Sequence, residues 1–133
     1  MNFKPLVAMA LGIWMAAPAT ADIAVNELLL RKKGEDINVR VVVGNPAMST
    51  QRGPVKVVLY VRPDSTGPWQ KIKVWNDIRE IKSGDKVARD LFAENSAVLR
   101  NAASNYSWEA RTTVEAPGVK MVSREVVNKG DEK

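Results

Sequence analysis

Two stretches of the chain alternate apolar and polar residues with a period of two, and they set the frame for everything else. In the first, Ile37, Val39, Val41 and Val43 fall on one side, with Asn38, Arg40 and Val42 on the other. In the second, Val55, Val57, Leu59 and Val61 alternate with Lys56, Val58, Tyr60 and Arg62. β-Branched residues at this period predict half-buried strands that face one core. GNPAMSTQRGP, residues 44–54, separates them, and its glycines and prolines predict a turn back or a crossing to a second sheet.

The same pattern, less regular, runs on either side. Ile23 to Leu30 reads as a first strand, followed by a hairpin-like turn at Lys32 to Asp36 around Gly34. PDSTGP, residues 63–68, is strong turn chemistry. WQKIKVWN, residues 69–76, then alternates so that Ile72 and Val74 share one face and Trp69, Lys71, Lys73 and Trp75 the other. Lys86 to Ala103 reads two ways. The favoured reading is a short strand through Ala93 and then a short helix capped by Ser96; the alternative is one amphipathic helix of four or five turns. Tyr106 to Val114 returns to a strand with Tyr106, Trp108, Ala110, Thr112 and Val114 on its core face, and Val119 to Val127 supplies the last one.

Seven short strands, starting at Ile23, Ile37, Val55, Trp69, Val87, Tyr106 and Val119 and separated by turn signals, predict an all-β immunoglobulin-like sandwich with a short helix in one crossover. The long-helix alternative for 86–103 predicts instead an α+β domain of one sheet plus one helix.

The N-terminus changes the picture of where the fold begins. MNFKPLVAMALGIWMAAPATA carries one charge, Lys4, then an apolar run from Leu6 to Ala17 and a small-x-small ending at Ala19 to Ala21. This is the layout of a cleavable signal peptide over 1–21. The apolar run, about 12 residues, is shorter than the roughly 20 that span a bilayer. The expected organisation is therefore a leader at 1–21, a domain at 22–127 and a polar tail at 128–133. The expected location is the bacterial periplasm or the exterior.

Charge and composition narrow the chemistry. The formal net charge is +5, one less without Lys4, and it is spread out. Its densest clusters are Arg31-Lys32-Lys33 and the Lys71, Lys73 pair, which read as solvated surface. Export and the absence of basic runs argue against nucleic acid as a partner. The chain has no cysteine and no histidine. That removes Ser-His and Cys-His nucleophile systems and zinc, haem or copper sites built on thiolate or imidazole. It also leaves an apolar core to hold the fold unaided, for which about 110 residues suffice.

INVRVVVGNPAM, GPVKVVLYVRP, IREIKSGDKVARDLF and NYSWEARTTVEAPG together resemble the bacterial cell-adhesion-related domains of the CARDB type and their immunoglobulin-like relatives. The resemblance covers nearly all of the exported chain and departs at the SREVVNKGDEK end. It implies a binding or assembly module and offers no catalytic residue. Tyr106 stands where such folds place a tyrosine corner; the alternative is an ordinary buried ring at a strand start.

Carboxylates at Asp64, Asp77, Glu80, Asp85, Asp90 and Glu94 are scattered through turns, with neither the pairing of a glycosidase nor the ligand spacing of a calcium loop. The sharpest candidate is the face bearing Trp69, Lys71, Lys73 and Trp75. Two indoles flanking two cations fit a partner-docking surface; the alternative is that the strand turns its indoles inward or a loop covers them. The expectation is a non-enzymatic accessory module that needs no cofactor or metal. Its partner is an envelope or secreted protein, or alternatively a glycan or anionic lipid.

Overall fold

The period-two stretches do become strands, and they pack face to face. A computed structural model describes residues 23–128; the expected leader, and all of the expected tail except Asn128, lie outside the described residues. The strands are β1 (Ala24–Lys33), β2 (Asp36–Gly44), β3 (Gln51–Arg62), β4 (Gln70–Ile81), β5 (Lys86–Phe92), β6 (Glu109–Glu115) and β7 (Val122–Val127). A 3-10 turn at Ala93–Asn95 and the helix α1 (Ala97–Ala103) link β5 to β6.

All pairings are antiparallel. One sheet has the order β1-β2-β5 and the other β4-β3-β6-β7. The chain crosses between sheets after β2, after β4 and after β5, which is the immunoglobulin-like arrangement. Lys33 pairs with Asp36, so Gly34-Glu35 forms a two-residue hairpin turn. Gly34 sits there at φ 61°, where a side chain is strained.

The core lies between the sheets. Val39, Val41 and Val43 of β2 face Val55, Val57, Leu59 and Val61 of β3, and all seven are essentially without solvent contact. Each such side chain contributes about 1.5–3 kcal/mol by leaving water. Trp108 is 0% exposed, as expected, and Ala110, Thr112 and Val114 follow it inward.

The region 86–103 resolves as a strand and then a short helix. Ser96 Oγ accepts the amide of Leu99 at 3.1 Å, capping α1, and Leu99, Ala102 and Ala103 close the open side of the sandwich. At the other end of α1, Lys32 donates to the Ala103 carbonyl at 2.8 Å. A cation there complements the helix dipole, so one member of the Arg31-Lys32-Lys33 cluster fastens the helix instead of merely facing water.

Asn45 does in the β2–β3 crossover what no alternation pattern reveals. Buried at the end of β2, its amide donates to the Ser49 and Ile81 carbonyls at 2.8 Å, and its Oδ1 accepts from the Ala47 amide. Its backbone also bonds Asp85 and Gly84. One side chain thus ties the crossover to the β4–β5 turn.

Tyr106 departs from both readings made of it. It lies in the turn before β6 and is 69% exposed, neither a corner nor a buried ring. The reason is the position of α1, which ends at Ala103 and leaves Ser104 to Ser107 to turn over the surface before Trp108 enters the core. Asn128 takes the interior place beside it. The Asn128 amide donates to the Trp108 carbonyl and its Nδ2 to the Tyr106 carbonyl, so the packed chain runs at least one residue past Val127.

Candidate functional site

β4 does not carry its alternation through. From Gln70 to Lys71 it pairs with Val61 and Tyr60, but the next step of β3, to Leu59, meets Lys73, so Ile72 is an extra residue. Such a bulge inverts which side chains face out. Beyond it Val74 pairs with Val58 on the outer face and Trp75 with Val57 on the inner one. Two further irregularities, between Val55 and Val57 and between Arg52 and Val55, then bring Ile78 and Ile81 inward as well.

The expected single face of Trp69, Lys71, Lys73 and Trp75 is therefore corrected. Trp75 is 9% exposed and belongs to the core. Lys73 pairs with Leu59 and is exposed at the sheet edge. Trp69 and Lys71 remain on the outer face, and Val74, expected inside, joins them. Ile72 is half-buried against the core.

Trp69 is placed by the loop before it. Asp64 Oδ1 accepts from the Thr66 amide at 2.8 Å and from its hydroxyl at 2.6 Å, and the Gly67 amide returns to the Asp64 carbonyl at 3.1 Å. These bonds, the Thr66 hydroxyl first, hold the Asp64 carboxyl below its ordinary value. Gly67 lies against Pro63, with room for no more than a slight Cβ contact at 3.2 Å. The tightened loop returns the chain so that the Trp69 ring lies under the Arg62 guanidinium, 4.2 Å from the ring centroid, with that of Arg111 at 5.7 Å. Both distances are in the range of cation–π attraction.

Arg62 is itself anchored. Its Nε and Nη2 donate to Glu109 Oε1 at 3.0 and 2.7 Å in a nearly buried pair. Glu125 lies 3.5 Å from Arg111 Nε without hydrogen-bond alignment.

Register turns the outer face of the four-stranded sheet into a grid. Lys71, Tyr60, Arg111 and Glu125 form one cross-strand row; Val74, Val58, Thr113 and Ser123 form the next; Lys56 lies opposite Glu115 in a third. The middle row is short and the outer rows are long, so a furrow of about 400 Å³ crosses the sheet. Val58 and Thr113 form its floor, 4% and 7% exposed although they point outward. Trp69, Lys71, Tyr60 and Arg111 wall one side, and Lys56, Glu115 and Met121 the other. The sequence showed Tyr60 and Val58 on one side of β3, but only cross-strand register joins them to Arg111 and Met121.

Among the described residues no three of the histidine, cysteine, aspartate and glutamate types cluster so as to hold a metal ion. Among them, too, no helix is long and apolar enough to cross a membrane.

No family model matches the chain, and no curated protein matches it in sequence. Among solved structures it is similar to the archaellum periplasmic stator protein complex FlaF and FlaG from Sulfolobus acidocaldarius, at 13% identity and a TM-score of 0.49, covering 86% of this chain and 96% of that one. It is also similar to a DUF3823 family protein from Bacteroides ovatus, at 15% identity and a TM-score of 0.47, covering 90% of this chain and 61% of the other.

Proposed function

We propose that the protein is an exported, non-enzymatic binding or assembly module, an accessory subunit of a bacterial envelope complex that docks its protein partner on the outer face of the four-stranded sheet. Kinship with the CARDB-type domains belongs to the same proposal and rests on the phrases quoted above. The observation that carries the docking reading is the furrow. A recessed floor of Val58 and Thr113, walled by Trp69, Tyr60 and Met121 and rimmed by cations, has the apolar centre and polar rim of a protein interface.

The test compares the two outer faces by cross-linked recovery of a partner from envelope extract. Val58→Arg fills the floor and Trp69→Ala removes a wall; both are expected to fold, by thermal melting, and to lose the same cross-linked band at least tenfold. Leu29→Arg, an exposed position on the other sheet, is expected to keep it. Loss of the band in Leu29→Arg alone places docking on the opposite face and overturns the reading.

A further inference from the structure

Resting on that docking reading, the register of the furrow specifies what kind of segment it takes. The cations of the face are not equivalent. Arg62 is consumed by Glu109, and Arg111 lies beside Glu125. Lys56 forms no ion pair among the described residues, but it has Glu115 opposite it in the pairing register, a carboxylate that Lys71 lacks. Lys71 has no carboxylate within ion-pair distance among the described residues and sits opposite Tyr60 in the basic wall of the furrow. That wall is thus a place for one anionic group, held by Lys71 and the outward side of Arg111, and a segment that meets both wall and floor runs parallel to β3, across the furrow.

The row of Val58 lies two residues further along β3. Two residues of an extended chain span about 6.6 Å and bring side chains back to the same face. We infer that the furrow binds an extended acidic polypeptide segment of the partner. Its carboxylate at one position meets Lys71 and Arg111, and an apolar side chain two positions on rests over Val58 and Thr113. Met121, 55% exposed on the far wall, supplies an adaptable apolar contact for that second side chain. The indole of Trp69 is already engaged by guanidinium, which reduces its pull on a further cation and leaves the site to anionic or neutral visitors.

A lipid surface fits less well. The floor is recessed below its walls, and the most exposed large apolar residues, Met48 and Tyr106, do not line the furrow. A flat bilayer rests on protruding apolar groups.

The test uses two fluorescein-labelled ten-residue peptides of one composition, read by anisotropy against the protein spanning 22–133 and against the full chain. In SEGVSEGVSE every glutamate stands two residues from a valine; in the rearranged peptide they are always an odd number apart. The first is expected to bind at least tenfold more tightly, to weaken severalfold between about 50 and 500 mM salt, and to lose at least tenfold on Lys71→Glu. Lys71 is exposed, so this variant leaves the fold intact, as its melting temperature would show. Equal binding of the two peptides, undiminished binding by Lys71→Glu, or no binding of either overturns the inference. So does Lys71-dependent binding confined to phosphatidylglycerol vesicles or to an anionic polysaccharide. If Val58→Arg loses the envelope partner while Lys71→Glu keeps it, the docking face stands and the acidic segment falls.

Discussion

The two outer faces of the sandwich are built from the same kinds of residue and end differently. On the three-stranded sheet the central polar groups satisfy one another, while Arg31 and Glu27 of β1 stand exposed at its edge. Asn38 donates to one oxygen of Asp90 at 3.0 Å and Arg40 to the other at 3.4 Å, on neighbouring strands, while Val42 is covered between them and Ala88. On the four-stranded sheet the Arg62–Glu109 pair is nearly buried, with the Trp69 indole packed against its guanidinium, and Lys71 and the furrow floor lie beyond it. The first face pairs its central charges with one another; the second sets an aromatic wall against a nearly buried ion pair and leaves Lys71 outside it.

The largest way to break this contrast is Arg62→Met. It strands the nearly buried Glu109 carboxylate and removes the guanidinium that covers Trp69, so urea denaturation is expected to show a loss of about 3 kcal/mol, with Trp69 fluorescence shifting toward that of exposed indole. A change below about 0.5 kcal/mol would mean that the pair is solvated and that the two faces differ less than their geometry implies.

Asp90→Ala probes the self-closed face. Removing the acceptor of two partly buried donors is expected to cost about 1 kcal/mol and to leave recovery of the partner unchanged; a loss of partner would move the docking site to this sheet. The smallest effect is expected from Asp77→Asn, which breaks the bridge from β4 to Arg89 of β5 on the exposed side of the sandwich. The Arg89 hydrogen bond holds Asp77 below its ordinary value of 3.8. A depressed folded-state value stabilises at pH above the unfolded one, and that contribution disappears as pH falls through the folded value. The wild type is therefore expected to melt slightly above the variant at pH 7, with the gap closing in acid; a gap that widens in acid would contradict the assigned partner.

How much of this was legible beforehand depends on how local the cause was. β2 and β3 were readable because seven core positions follow strict alternation, and the helix because Ser96 stands at the right place to cap it. Trp75 was misassigned because alternation assumes an uninterrupted ladder, and the bulge at Ile72 exists only through pairing with β3. Asn45 gave no signal beyond a turn-forming residue, since the carbonyls it holds come from positions as far away as Ile81. Tyr106 was misplaced because the end of α1, not the strand pattern, decided where β6 begins.

The sequence alone determined the period-two ribbons, their turns and the single apolar interior, because burial of every second side chain is a property of each segment by itself. The tertiary structure decided which cations remain uncompensated and where a furrow opens. Those depend on the register between strands, and a shift of one residue exchanges the inside of a sheet for its outside.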